Sequence, residues 1–211
     1  MFLERLEISC FRNLTSVSLE LVSGLNFFHG ANGAGKTAIL EAVHFLARGR
    51  SFRSHQSRTL IAHGAESLTV RAALWDGLGV HQTIAISKSA GGHTDLRVNG
   101  EPERRLSEAA RRIPLQVMLP DIGELVFGGP QLRRQWLDWG AFHVKPEYLL
   151  SLREYVRALK QRNAGLKQVS SGAQPPAALA PWTEQLLAAA EEITAHRVSY
   201  IEALEPVFLA T

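Results

Sequence analysis

Eight consecutive residues, Gly30-Ala31-Asn32-Gly33-Ala34-Gly35-Lys36-Thr37, carry the densest chemical information in the chain. A glycine, four spacer residues and then Gly35-Lys36-Thr37 is the spacing of a phosphate-binding loop. Glycines let the backbone curl so that successive N–H groups point inward at phosphate oxygens. A helix starting at the end of the loop adds its positive dipole end. A lysine at position 36 supplies a point charge to the outer phosphates, and the hydroxyl of Thr37 joins a Mg²⁺ shell. The loop therefore predicts binding of ATP with Mg²⁺.

Such a loop works only if a strand delivers it and a helix leaves it. Leu25-Asn26-Phe27-Phe28 is a short apolar run suited to a central strand just before it. Lys36 to Ala47 follows, with Ile39, Leu40, Val43, Phe45 and Leu46 at helical spacing. Upstream, Leu3 to Ser9 and Ser16 to Leu21 alternate as half-buried strands around a turn at Phe11-Arg12-Asn13. Downstream, Ser67 to Leu74, Val80 to Ser87 and Thr94 to Val98 read as strands, with turns at Asp76-Gly77 and Asn99-Gly100. No helix of useful length separates the first two, so they pair antiparallel rather than alternating with helices. A short helix near Leu106 to Arg112 and an apolar run Leu115 to Leu119 close this lobe. From Asp121 the pattern turns helical: Gln131 to His143, a helix opened by Pro146 and running to about Gln168, a linker over Val169 to Pro181, and a last helix from near Trp182 toward Leu204. The expected boundary puts residues 1–119 in one lobe and 120–211 in a helical arm.

The 211 residues are 45% hydrophobic, enough for a real core, and the formal charge of +3 permits an acidic partner without requiring one. Cys10 is the single cysteine, which excludes an internal disulfide and reads as a core residue in a reducing compartment. The N-terminus lacks the basic segment and long apolar run of a signal peptide, and no run of about 18 apolar residues exists, so a soluble cytoplasmic protein with no membrane partner is expected. Arginines cluster at Arg48, Arg50, Arg53 and Arg58, at Arg104, Arg105, Arg111 and Arg112, and at Arg133 and Arg134. Each cluster reads equally as a solvated face or as a contact for phosphates.

Asn32-Gly33 ahead of Ala34-Gly35-Lys36-Thr37 resembles the loop of ABC-type ATPases of chromosome and repair machines. Further elements narrow the likeness: Phe11-Arg12-Asn13-Leu14, Leu40-Glu41-Ala42, Gly49-Arg50-Ser51-Phe52-Arg53, Pro120-Asp121, Gly129-Pro130-Gln131-Leu132-Arg133-Arg134-Gln135-Trp136-Leu137-Asp138 and Gln161-Arg162-Asn163. In that order and spacing they resemble the N-terminal portion of the RecF family of bacterial DNA replication and repair proteins. The resemblance implies an α/β fold, an incomplete ABC-type P-loop ATPase head with an antiparallel side sheet, plus an inserted α-helical arm. It implies ATP and Mg²⁺ as cofactors, an ATP-dependent homodimer of the full-length protein, binding to double-stranded DNA near single-strand gaps, and work with RecR and RecO in loading RecA. It also implies that Arg12 and Asn13 reach the nucleotide beside the loop.

Two signatures of an ABC-type ATPase have look-alikes here. Leu115 to Asp121 mimics a Walker B strand, but Pro120 precedes the acid and no second acid follows. Val169-Ser170-Ser171-Gly172-Ala173-Gln174 mimics the serine-glycine signature, but Pro175-Pro176 and a helix follow it. Both are read as decoys, so the chain is expected to end before the true motifs, to hydrolyse little ATP alone, and to hold no assigned catalytic residue. Gln116 is either a Mg²⁺-sensing glutamine at a strand end or a polar residue on an exposed face. Arg50 and Arg53 are candidates for DNA contact, the alternative being surface arginines. Arg134 and Asp138, four apart, read as an intrahelical ion pair in a segment that joins arm to head. His29 is read as a strand-end residue. The competing function is a P-loop kinase of small molecules, which would need alternating strands and helices and an arginine-rich lid.

Overall fold

The computed structural model describes residues 1–54, 56–75, 79–120 and 123–210. The turn expected at Asp76-Gly77 and the acid at Asp121 lie outside them. The chain divides into two compact units, Met1–Val117 and Met118–Thr211.

The first unit is built on a six-stranded sheet: β1 (Phe2–Phe11), β2 (Leu14–Glu20), β3 (Ser67–Trp75), β4 (His81–Ser89), β5 (Thr94–Val98) and β6 (Glu101–Glu103). Their order is β2-β1-β3-β4-β5-β6, and every neighbouring pair is antiparallel. Period-two alternation decides which face is wet. Leu6 and Ile8 of β1, Leu68, Val70, Ala72 and Leu74 of β3, and Ile84 and Ile86 of β4 all point to one face and are buried. The other face carries Arg5, Glu7, Glu20 and Arg71 in exposed ion pairs at 3.2–3.5 Å, worth little each. Helix α1 (Lys36–Arg48) covers the apolar face with Ala38, Ala42, Phe45 and Leu46, and α2 (Leu106–Arg112) adds Ala109. Burying a Leu, Ile or Phe side chain this fully contributes about 1.5–3 kcal/mol.

Turn chemistry explains two hairpins. Asn99 and Gly100 both have positive φ, 53° and 84°, the combination that Asn-Gly provides at least cost, and they open β6, a short strand the sequence pattern did not show. Arg12, also at positive φ (56°), turns β1 into β2 with Asn13.

Several expectations fail for physical reasons. Leu25 to Phe28 is not a strand, because among the described residues nothing pairs with it. Leu25 and Phe27 are 81% and 83% exposed, and Asn26 holds the segment instead, its side chain bonding Val22 N at 3.0 Å and Val22 O at 2.9 Å. Leu115 to Leu119 likewise forms no strand. Leu40 lies on the outer face of α1, half exposed, since the true buried stripe runs through Ala38, Glu41, Ala42 and Phe45. Cys10 is half-buried rather than a core residue.

The second unit is helical: α3 (Gly123–Phe127), α4 (Pro130–Val144), α5 (Tyr148–Ser170) and α6 (Ala180–Leu209). The segment read as a linker is trimmed at both ends, since α5 continues to Ser170 and α6 starts at Ala180, and a short 3-10 turn, Pro176–Leu179, lies between them. Pro146 stands before α5 rather than at its first position. α5 and α6 form a hairpin, tied by Ser151 Oγ donating to Glu192 at 2.7 Å and Arg162 Nε donating to Thr183 Oγ1 at 3.1 Å. Gly140 lets α4 approach the Tyr200 ring on α6, where a Cβ would collide. Asp138 does not pair with Arg134. It takes Arg197 of α6 (Nε, 2.8 Å) and the buried Tyr148 hydroxyl (2.6 Å), partners from other helices that the local spacing could not reveal. Arg133 Nη1 donates to the carbonyls of Leu125, Val126 and Gly128 at 3.0–3.2 Å, closing the C-terminal end of α3. Among the described residues no helix is long and apolar enough to cross a membrane.

Candidate nucleotide-binding site

The loop from Gly30 to Gly35 leads directly into α1, and its backbone is bent where only glycine bends freely. Gly30, Gly33 and Gly35 have φ of 145°, 82° and 95°. Gly35 is the residue before the helix, with no side chain capping the helix N-terminus and no acid in the first turn. The free N–H groups and the dipole therefore face the loop with positive character. Thr37 is exposed in this first turn. Lys36 Nζ donates to Gly30 O at 2.7 Å and Ala31 O at 2.8 Å, so the ammonium bridges the loop and keeps a third donor. This donor set suits phosphate oxygens. Among the described residues no three acidic, His or Cys groups cluster as a metal cage. A divalent ion here would be held by phosphates, water and the Thr37 hydroxyl, as Mg²⁺ commonly is.

The β1–β2 turn braces the loop from one side. Asn13 Nδ2 donates to Gly33 O at 2.7 Å, and Gly35 packs so closely on Leu14 that a Cβ would strike it. The preceding Arg12 points to a different place. Its Nε and Nη2 donate to Glu41 at 3.1 and 2.7 Å, and its Nη1 to Thr59 O at 2.8 Å. Two of its five N–H donors remain beyond these bonds.

Glu41 is the residue the motif-based reading missed. It is wholly buried on α1, one turn below the loop, and also accepts a short hydrogen bond from Ser51 Oγ and lies 3.8 Å from Arg53 Nη1. Ser51 Oγ in turn accepts from the N–H groups of Arg53 (2.8 Å) and Ser54 (3.0 Å). One carboxylate thus ties together the β1–β2 turn, α1 and the segment after it. Burial pushes the Glu41 carboxyl up, but the hydrogen bonds from Arg12 and Ser51 and the charges of Arg12 and Arg53 outweigh it and hold it below the ordinary value. A signal existed: a carboxylate in register with Ala38, Ala42 and Phe45 on the apolar face of a helix demands a cationic partner.

Of the other predicted residues only Arg53 touches this cluster, through its contact with Glu41. Arg50 is exposed at the end of α1, where its carbonyl meets His44 Nδ1 at 2.8 Å, and Arg53 is half exposed. Burial pushes the His44 imidazole down and, helped by the nearby Arg50 charge, pushes Arg48 down to about 10, still cationic at neutral pH. Gln116 is exposed in an extended segment with no bond to the loop. His29 is exposed. The signature look-alike Ser170-Ser171-Gly172 closes α5, where a helix presents carbonyls rather than N–H groups, the wrong polarity for phosphate.

Comparison with known proteins agrees with this geometry. Residues 2–122 match the model of the RecF/RecN/SMC N-terminal domain. The chain is 38% identical over 211 residues to the DNA replication and repair protein RecF of Edwardsiella ictaluri (strain 93-146), covering all of this chain and 58% of that one. It is 44% identical over 207 residues to RecF of Actinobacillus pleuropneumoniae serotype 3 (strain JL03), covering 98% of this chain and 56% of that one. The solved structure of the recombination mediator protein RecF with ATP, from the RecFOR pathway, superposes with a TM-score of 0.86 at 28% identity over 96% of this chain and 54% of that one. An SMC ATPase structure shares the fold, with a TM-score of 0.56 at 23% identity over 66% of this chain and 99% of that one. The chain spans a little over half the length of the curated relatives it matches. Among the described residues of the first unit the neighbouring strands are all antiparallel, without the alternation of strands and helices that a small-molecule kinase needs. The chain belongs to the RecF/RecN/SMC N-terminal domain family, and along its whole length it matches the N-terminal portion of RecF.

Proposed function

We propose that this chain binds ATP with Mg²⁺ and forms the nucleotide-holding part of a RecF-type protein of DNA replication and recombinational repair. Met1–Val117 would be the N-terminal lobe of the ATPase head and Met118–Thr211 the arm. The observation that carries the reading is the loop itself: three glycines at positive φ, an uncapped helix start, and Lys36 bridged over the loop while Asn13 braces it. Residues Gly30 to Thr37 would hold the phosphates, with Lys36 neutralising outer oxygens. Mg²⁺, when bound, would neutralise phosphate charge, and the Thr37 hydroxyl is the donor in this chain suited to it. Arg12 would orient toward the nucleotide through the two donors it does not spend on Glu41 and Thr59. Gln116, exposed and outside the loop's hydrogen bonds, would be the second oxygen donor to the metal.

Arg50 and Arg53, exposed just after α1, would contact the phosphates of double-stranded DNA, positioning the protein without reading bases. By likeness to RecF, the full-length protein would dimerise around ATP, act at gapped duplexes, and work with RecR and RecO. The test is isothermal titration with Mg-ATP on the chain and on Lys36→Ala. Loss of the ammonium, a charge-assisted donor, should weaken binding by about 10- to 100-fold. Equal affinity in the two proteins would overturn the assignment.

A further inference from the structure

The α5–α6 hairpin is charge-segregated. α5 carries Arg153, Arg157, Lys160, Arg162 and Lys167 against Glu154 alone, whereas α6 carries Glu184, Glu191, Glu192, Glu202 and Glu205 against Arg197 alone. On α5 the cations are also sorted by face. At 100° per residue, Arg153, Arg157, Lys160 and Lys167 fall within roughly 80° of the helix circumference. All four are exposed. The buried residues of the same helix, Tyr148, Ser151, Ala158 and Gly165, lie on the opposite side, roughly 160° away. Neither Glu147 nor Glu154 falls within the cationic arc. A shallow groove along it is lined by Leu152, Arg153, Val156, Arg157, Lys160 and Gln161. The stems of Arg157 and Lys160, beside Leu152 and Val156, let the charged heads reach water.

We propose that this stripe of α5 is a second surface for duplex DNA, reading the phosphate backbone rather than bases. Charge complementarity selects the occupant. A straight row of one sign from Arg153 to Lys167 spans about 21 Å at 1.5 Å per residue. Duplex DNA offers phosphates of one sign at about 3.4 Å of axis per strand, so the row faces about six base pairs. The ties between α5 and α6 described above run through Ser151, Arg162 and the buried face and leave Arg157, Lys160 and Lys167 on the outer side. The similarity to DNA replication and repair proteins points the same way. This surface is distinct from the proposed contact at Arg50 and Arg53, which lies in the other unit.

The test is fluorescence anisotropy of the full chain, without nucleotide, on two duplexes of unrelated sequence over a salt series. The triple variant Arg157→Ala/Lys160→Ala/Lys167→Ala should flatten the slope of log affinity against log salt by about 2 to 3 units. Affinity at about 100 mM salt should fall about tenfold or more, alike on both sequences. A matching neutralisation on the other helix, Glu191→Gln/Glu202→Gln/Glu205→Gln, should leave the slope unchanged. Circular dichroism shows whether the triple variant keeps its helices. Because every substitution is exposed, a variant that loses helicity is replaced by Arg157→Gln/Lys160→Gln/Lys167→Gln, which must give the same loss of slope. Omitting nucleotide separates this result from the ATP reading, and Arg53→Ala measured in parallel separates it from the head contact. An unchanged slope, a wild-type chain that fails to bind duplex at low salt, or equally tight binding to polyglutamate would each overturn the proposal, the last assigning the stripe to an acidic protein.

Discussion

Each unit holds a carboxylate that gathers donors from several elements, and the two differ in what lies next door. Glu41 takes Arg12, Ser51 and Arg53 and is wholly buried. Asp138 takes Tyr148 and Arg197 and keeps about a quarter of its side chain exposed. Asp138 locks three helices together. Burial and the Asp138 hydrogen bond and charge push the Tyr148 hydroxyl pKa well up, so it stays a donor at any ordinary pH. Arg197, though disfavoured by burial, is held more firmly charged by the same carboxylate. Nothing in that trio adjoins a loop with chemistry. Glu41 uses the same physics one residue away from a working part: Arg12 is its partner, and Asn13, the next residue, holds Gly33 of the phosphate loop. The same kind of ion pair is architecture in one unit and a means of aligning a binding loop in the other.

That contrast can be broken most forcefully at Glu41 itself. Glu41→Ala empties a wholly buried site and leaves both the part-buried Arg12 and Ser51 without their acceptor, a loss of about 3 kcal/mol, at the low end for a buried pair because Arg12 is itself partly exposed. Asp138→Ala should cost less, about 1.5–3 kcal/mol, because its site is partly wet. Amide hydrogen exchange under denaturant separates the two, with protection falling in β1 and α1 for the first and in α4 to α6 for the second. Only the Glu41 variant should also weaken Mg-ATP binding; equal ATP affinity in both would erase the distinction drawn between them.

A pH series sharpens the same contrast. The Glu41 carboxyl is held below its unfolded value, so its contribution is fully present above the ordinary carboxylate pKa of about 4.5 and is lost as pH falls through the lowered folded value. Protection in β1 and α1 should therefore decline on acidification below about pH 4.5, and Glu41→Gln should flatten that decline. An acid limb of unchanged steepness in the variant would place the acid sensitivity elsewhere.

The smallest expected effect is at Asn13. Asn13→Ala removes a single hydrogen bond to Gly33 O, so stability should fall by only about 1 kcal/mol, and Mg-ATP affinity by at most about fivefold as the loop loses that brace. Titration calorimetry on the variant, with exchange in β1 as the control, checks it. A stability loss as large as that of Glu41→Ala would mean the turn is held by Asn13 rather than by Arg12.

How much of this was legible beforehand follows from the range of each interaction. The phosphate loop, α1, the antiparallel strands and the helical second half are local patterns: glycine spacing, period two and period 3.6 report directly on neighbours within a few residues. β6 escaped because three residues carry too little alternation, and Leu25 to Phe28 misled because an apolar run states a readiness to be buried without naming a partner strand. The Asp138 bond to Arg197 spans 59 positions and displaced the nearer partner at Arg134, which only packing of α4 on α6 could decide. Residue types and spacing by themselves determined that this chain carries a phosphate loop on a strand-and-helix lobe followed by helices. Tertiary structure alone decided that Glu41 holds Arg12 across 29 positions, that Asn13 rests on Gly33, and that the cation face of α5, whose sorting the helical spacing already sets, stays in water, because each depends on which surfaces meet once the apolar faces are buried.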